Sequence, residues 1–478
     1  VTQPSQPPAL DYIFRPSSLA IAGVSAKESA QAMGGVNFLN ALIETGFPGP
    51  ISLIHPTATA IRGFRCYPRV TDVPGDLDYV ISSVSARFVP ELLEDCIARG
   101  VKVLHLFTAG FTETGEQDRA DMEQAVVARA REAGIRLIGP NCMGLYVPAQ
   151  RLAMMAGQPP EPGPVGMLSQ SGMNAGEFVR YGLPRGLRFS KVISFGNGAD
   201  LKAADFFDYL ADDPETEIIG AYLEGIQDGP RLAAAMRKAG AAKPTIVLKG
   251  GRTDAGQRAA QSHTASLAGS AQVFDALCKQ AGIVRVESLD DLVDTVVAFR
   301  FAAKAAGPNV VVVGAGGGAS VLAADDLASA GLQLPQLLPA TQDLLRGVTH
   351  EAGTSIRNPI DTTSVFDDDG FNATLGACAA APNVDVILYH TGFGWGPNVR
   401  LPGIRERMAK QVATLGRIQE ESGKPVLVAI RPATNEAGWE QSNDFQELAW
   451  HAGLATFPSI ARAANALARV LAWQRMHA

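Results

Sequence analysis

Val165-Gly166-Met167-Leu168-Ser169-Gln170-Ser171-Gly172-Met173 carries the fold class of this chain. Residues 165–168 read as a buried strand, and 169–172 as a tight turn of small residues. Met173, Ala175, Phe178 and Val179 then recur at the spacing of a helix face. Outward from this stretch the same alternation repeats. Toward the N-terminus, strands are expected at 19–24, 51–54, 79–82, 101–107 and 136–138, with helices at 90–99 and 116–133. Toward the C-terminus, strands follow at 191–195, 218–223 and 245–248, and Ser288 is placed to cap a helix through Leu289, Leu292, Val293, Val296 and Val297. A third set opens at 309–313, continues through 386–389 and 425–430, and closes on a helix near 461–473. Unbroken apolar strands alternating with helices imply parallel sheets covered on both faces.

Two breaks divide the pattern. Gln158-Pro159-Pro160-Glu161-Pro162-Gly163-Pro164 reads as a proline-rich linker, and 302–308 as a second one. The expected architecture is α/β, three consecutive doubly wound domains at 11–157, 163–303 and 308–478. A polar, proline-rich flexible tail at 1–10 precedes them and does not read as a signal peptide. A chain of 478 residues with 46% hydrophobic and 19% charged residues has the material for three such cores.

Composition excludes several function classes. A net charge of -7 with no dense Lys/Arg run argues against nucleic acid as a partner. Cys66, Cys96, Cys142, Cys278 and Cys378 are scattered without a Cys-x-x-Cys pair, so neither a disulfide framework nor a zinc site is expected. No metal site is expected elsewhere, because no histidine has ligand spacing to another histidine or cysteine. No apolar run approaches the roughly 20 residues that cross a bilayer, and a cytoplasmic, membrane-free protein is expected.

The chemistry-bearing residues lie at strand ends. Gly23 follows the first strand and Gly34-Gly35 come next, which is not Gly-x-Gly-x-x-Gly. The second strand runs into His55-Pro56 without the acid that holds an adenosine ribose, so an NAD enzyme is disfavoured. These glycines still allow backbone amides to approach another nucleotide's phosphate at a helix N-terminus. Ser169, Gln170, Ser171 and Gly172 form a strand-to-helix turn that recurs at Gly314-Ala315-Gly316-Gly317-Gly318-Ala319-Ser320. Between the two lies His263, within Gln261-Ser262-His263-Thr264-Ala265-Ser266-Leu267-Ala268-Gly269-Ser270. Small neighbours leave room for an anionic group on a ring nitrogen, and the two turns could cradle a phosphorylated histidine. Glu224, ending its strand before Gly225, could fix the histidine tautomer, although an isolated glutamate is more often a loop-capping acid. His55, His105, His451 and His477 read as structural. His390, near Phe393 and Trp395, reads as a strand-end residue or as the wall of an acyl pocket.

Taken in order, these motifs resemble the α subunit of NDP-forming acyl-CoA synthetases, relatives of succinyl-CoA synthetase. The resemblance runs nearly the whole length from Ile13-Phe14-Arg15-Pro16-Ser17-Ser18. It rests on Ala109-Gly110-Phe111-Thr112-Glu113-Thr114-Gly115, Ile138-Gly139-Pro140-Asn141-Cys142-Met143-Gly144, Ser169-Gln170-Ser171-Gly172, Tyr222-Leu223-Glu224-Gly225, Ser262-His263-Thr264 and Asn358-Pro359-Ile360-Asp361. It implies a Rossmann-like CoA-binding domain followed by two flavodoxin-like ligase domains. It implies that His263 carries phosphate, that Glu224 bonds it, and that Ser169 to Gly172 and Gly316, Gly317, Gly318 and Ser320 flank that phosphate. Gly23, Ser25, Gly34, Gly35, Pro56, Ser83, Val84 and Asn141 are implied to bind CoA. The implied reaction joins a small carboxylic acid to CoA through phosphohistidine and an acyl phosphate, using Mg-ATP or Mg-GTP. No ATP-grasp domain is present, so the nucleotide is expected on a separate β subunit. Two smaller departures are Ala265 after Thr264, where glycine is usual, and His55-Pro56-Thr57 where Asn-Pro-Lys is common; Arg62 or Arg65 could replace that missing base. The alternatives are an acyl or carbamoyl transferase on the same scaffold and a CoA-ester-binding module without the nucleotide step.

Overall fold

The computed structural model describes residues 9–26, 34–256, 258, 270–349, 355–394 and 403–478; most of the expected tail at 1–10 lies outside them. The chain forms two compact units, Val1–Val179 with Arg188–Leu289, and Arg180–Leu187 with Asp290–Ala478. No described helix is long and apolar enough to cross a membrane.

The first unit holds two sheets. Strands β1 (Leu19–Ala22), β2 (Ile51–Ile54), β3 (Ala60–Ile61), β4 (Phe64–Tyr67), β5 (Tyr79–Ser82), β6 (Val103–Leu106) and β7 (Arg136–Ile138) make the first. Their spatial order is β3-β4-β2-β1-β5-β6-β7. Counting only the parallel strands, this is the 3-2-1-4-5-6 order of a dinucleotide-type fold, with its reversal between β1 and β5. All four residues of β1 and of β5 are buried, so both faces of the sheet centre are covered.

The second sheet contains β8 (Gly144–Tyr146), β9 (Pro162–Ser169), β10 (Phe189–Ser194), β11 (Ile218–Leu223), β12 (Thr245–Lys249) and β13 (Val284–Val286), ordered β13-β12-β11-β9-β10-β8. Its five parallel strands follow the flavodoxin order 2-1-3-4-5, which reverses between β9 and β11. In the second unit, β14 (Val310–Gly314), β15 (Ile360–Asp361), β16 (Val386–Gly392), β17 (Val426–Arg431) and β18 (Ala455–Phe457) repeat that order as β15-β14-β16-β17-β18. The chain therefore carries three doubly wound sheets in succession.

The structure corrects the expectation in three places. Not every strand is parallel: β3 pairs antiparallel with β4, and β8 antiparallel with β10. Three-residue and two-residue edge strands are too short to show periodicity. The chain also enters the second sheet at β8, ahead of the proline-rich stretch. That stretch is no linker: Pro162 to Pro164 open β9, where a missing N–H is tolerated at a strand start, and Gln158 is buried with its Oε1 accepting from the amides of Met154 and Met155 at 3.0 and 3.2 Å. The helix after Ser288 begins at Leu289 as expected. The closing helix is longer, Ile460–His477, because the Ser459 hydroxyl caps its start by accepting from Arg462 N at 3.2 Å and its apolar face stays buried as far as Leu471.

Each unit buries charge. Lys191 is fully buried in β10 and reaches Asp213 at 2.8 Å and Glu215 at 2.6 Å. In the second unit Asp294, 2% exposed, accepts from Arg185 Nη1 at 2.5 Å and from Arg462 Nε at 2.5 Å, while Arg185 also donates to the carbonyl of Thr456.

Candidate active site

At the reversal point of the first sheet, the crevice where such folds bind ligands, the chain comes close to itself. Gly23 follows β1 with φ +94°, and a Cβ there would sit 2.6 Å from the Ser83 carbonyl oxygen. A Cβ on Gly35 would lie 2.9 Å from the Gly23 carbonyl oxygen, and one on Gly34 would strike Ser83 Oγ. Ser83 N donates to Ala22 O at 2.8 Å, and Ser83 Oγ accepts from Gly35 N at 3.0 Å. Gly23, Gly34, Gly35, Ser83 and Val84 thus form one cluster at the N-terminus of the helix Gly35–Thr45. Ser25 and Pro56 are exposed nearby in sequence. His55 Nδ1 accepts from the amides of Thr57 and Ala58 at 3.2 and 2.9 Å, so the imidazole holds this turn as an asparagine side chain would. Arg62 reaches Asn40 on the helix Gly35–Thr45, whereas Arg65 lies over the Tyr67 ring. Asn141 sits elsewhere on the same end of the sheet, at φ +58°, with its amide on Thr108 O.

At the second sheet's reversal point, β9 ends in Ser169 and β11 in Leu223. Gln170 joins the two: its amide donates to Tyr222 O at 3.1 Å, and its Oε1 accepts from Gly225 N at 2.9 Å and from Glu224 N at 2.5 Å. The amide of Gln170 is thus committed to Tyr222, and its side-chain oxygen to Glu224 and Gly225. Ser169 is likewise turned inward: fully buried, it donates to Ser171 O at 2.7 Å. Ser171 Oγ accepts from Asn174 N, which leaves the first-turn amides of Gly172 and Met173 unpaired among the described residues. They point where an anion gains from the helix dipole. Glu224 is 6% exposed, and the Tyr222 hydroxyl bonds both its carboxylate and the Asn174 side chain. Burial beside that carboxylate pushes the Tyr222 phenol up, so it stays protonated and donates. Lys249 Nζ donates to the backbone carbonyls of Glu224 and Gly250, both at 2.6 Å.

The third sheet repeats the arrangement. Asp361 Oδ1 accepts from Gly316 N at 2.7 Å, so Gly316 shapes the turn, and Gly317 and Gly318 supply the first helical amides. Ser320 Oγ is buried without a hydrogen-bond partner among the described residues. His390 is not a strand-end residue. It lies within β16, 2% exposed, with its ring against Gly314 and both ring nitrogens without partners among the described residues. Phe393 packs on Phe445 in the core of this unit, and Trp395 lies outside the described residues. Burial, reinforced by Arg431, lowers the His390 pKa to about 4. The unfolded chain takes a proton near pH 6.5 and the folded one only near 4, so stability is lost as pH falls between these values. Going from about pH 7.5 to about pH 5 is expected to cost about 2 kcal/mol at this residue. Urea unfolding of His390→Leu should show a correspondingly smaller loss, and equal losses in both chains would refute this.

His263 and the stretch 259–269 around it lie outside the described residues. The strand that precedes it in the sequence, β12, ends at Lys249 and Gly250 beside Glu224. Sequence reading missed Tyr222, Asn174 and Lys249 as neighbours of Glu224. A signal was present, since a lysine at the end of the apolar run 245–248 is out of place in a buried strand.

Residues 17–148 match a CoA binding domain, and residues 162–299 match the succinyl-CoA ligase like flavodoxin domain. The α subunit of acetate–CoA ligase [ADP-forming] I from Pyrococcus furiosus is 32% identical over 98% of this chain and 99% of its own. The chain belongs to the ADP-forming acyl-CoA synthetase α-subunit family. Acetate–CoA ligase [ADP-forming] II of Archaeoglobus fulgidus is 36% identical over 74% of this chain, a match that spans 52% of the relative. The solved dinucleotide forming acetyl-coenzyme A synthetase 1 of Ca. Korarchaeum cryptofilum, in complex with phosphate and ADP, superposes with a TM-score of 0.81 at 30% identity over 98% of this chain and 97% of that one. For an acyl-CoA synthetase α subunit, the Gly110 to Gly115 motif has a structural purpose, since Glu113 accepts from the amides of Gly110 and Phe111 at 2.6 and 3.2 Å.

Proposed function

We propose that this chain is the α subunit of an acid–CoA ligase that forms acyl-CoA from a carboxylic acid, CoA and ATP or GTP, releasing NDP and phosphate. The observation that carries the proposal is Glu224, buried and oriented by Tyr222 and Gln170 at a strand end where, among the described residues, two helix-start amides are unpaired. That is a site built to steer an imidazole and hold an oxyanion. The glycine cluster at the first sheet's crevice, where a Cβ would strike the neighbouring chain, seats the start of the helix Gly35–Thr45 at that crevice, and a helix N-terminus there suits a CoA phosphate.

In the proposed cycle a His263 nitrogen attacks the γ-phosphorus, the N–P bond forms, and the bond to the β-phosphate oxygen breaks to release NDP. A carboxylate oxygen then takes the phosphoryl group, giving the acyl phosphate and freeing the imidazole. The CoA sulfur attacks the acyl carbon, phosphate leaves, and the thiol proton goes to solvent. Glu224 accepts the other ring N–H throughout, keeping the attacking nitrogen's lone pair directed at phosphorus. The subunit alpha name of the Pyrococcus furiosus relative supports a partner subunit, and Mg-nucleotide is assigned to a separate ATP-grasp subunit. The reading is tested with the chain, that partner, acetate, CoA and Mg-ATP. ADP and phosphate should appear in step with acetyl-CoA, and the chain should carry acid-labile phosphate when acetate is left out. AMP with pyrophosphate, or CoA binding with no phosphorylated chain, would overturn it.

A further inference from the structure

Lys249, the last residue of β12, is 2% exposed, and the phosphoryl chemistry of His263 and Glu224 gives it no role. Its ammonium is held by two backbone carbonyls, those of Glu224 and Gly250, each at 2.6 Å. Lys191, equally buried one sheet position beyond the reversal point, is neutralised by Asp213 and Glu215. Lys249 has no such ion pair among the described residues, and the charge nearest to it is the Glu224 carboxylate, acting through space. Burial works against its charge and Glu224 supports it. A buried cation kept without a salt bridge, at the ligand-binding end of a sheet, is uncommon enough to ask what anion it serves.

The register supplies the answer. Leu223 of β11 stands opposite Lys249 of β12, so the two strands leave the sheet at one level. Glu224 is the next residue on one strand and Gly250 the next on the other. The Lys249 clamp ties together the carboxylate's backbone and the first residue of the segment that runs toward His263. It also sets a positive charge beside a carboxylate that must tolerate a phosphoryl dianion, which Glu224 alone would repel.

We propose that Lys249 is a positioning residue of the phosphoryl-transfer site, clamping the backbone at Glu224 and Gly250 and offsetting the carboxylate charge so that an anionic phosphoryl group can be held next to it. The inference rests on the ligase reading. The test compares the native chain with Lys249→Met, which keeps the apolar stem, and Lys249→Arg, which keeps the charge. Acid-labile phosphate is followed by rapid quench with Mg-ATP and the partner subunit, and CoA affinity and the unfolding midpoint are measured on the same samples. Lys249→Met is expected to slow phosphorylation about a hundredfold with CoA affinity and the midpoint unchanged, and Lys249→Arg to recover most of the rate. Phosphorylation by Lys249→Met at a rate close to native would overturn the inference, as would a rate loss matched by lost CoA affinity and a lower midpoint. A native chain that takes up no phosphate would instead bring down the ligase reading itself.

Discussion

Glu224→Ala is expected to slow the appearance of acid-labile phosphate on the chain by about a thousandfold while CoA affinity stays within about twofold. The reason lies in how the residue is held. Its backbone is fixed by Gln170 Oε1 and by Lys249, and its carboxylate is oriented by the Tyr222 hydroxyl. Removing the side chain leaves those backbone bonds in place and takes away the carboxylate, proposed to select the histidine tautomer, together with the acceptor of the Tyr222 hydroxyl. The glycine cluster around Gly23 and Ser83 belongs to a different sheet from Glu224. Quenched-flow phosphorylation and calorimetric CoA titration on one preparation separate the two effects. Equal losses in both would mean that Glu224 supports the fold, and no loss in either would leave it a loop-capping acid.

The largest stability effect is expected at Asp294. Its two oxygens serve two guanidinium groups, with Arg185 Nη1 and Arg462 Nη2 on Oδ1 at 2.5 and 3.0 Å and Arg462 Nε on Oδ2 at 2.5 Å. Arg185 is 7% exposed and lies over the Phe457 ring, so it cannot turn to water when the carboxylate is removed. Asp294→Ala therefore strands a buried cation and is expected to cost about 3–5 kcal/mol. Asp294→Asn keeps one acceptor and should cost less. Hydrogen exchange resolved to β17 and β18 would report the loss where it arises, and a change below about 1 kcal/mol would mean that the triad adds little to stability.

Legibility differed from element to element for physical reasons. The long central strands announce themselves, because burial on both faces demands unbroken apolar residues, as in β9 to β12. The short edge pairs β3–β4 and β8–β10 do not, because edge strands need neither burial nor length. Prolines at 162–164 mislead, since the same residue type opens a strand and breaks a chain. His390 shows the limit of reading a histidine by its neighbours in sequence. The ring's nearest feature is Gly314, more than seventy residues earlier, whose missing Cβ is what admits it.

The sequence by itself determined the class of fold, the succession of three doubly wound sheets, and the residues worth suspecting, because periodicity, small-residue turns and their order along the chain are local properties. Which suspects act together was decided only by the tertiary structure. Gln170, Tyr222, Asn174 and Lys249 gather around Glu224, because strand order and register place the ends of β9, β11 and β12 side by side. A hydrogen bond between residues fifty positions apart has no trace in spacing. It exists because parallel strands bring their carboxyl ends to one edge, where burial favours pairing between polar groups.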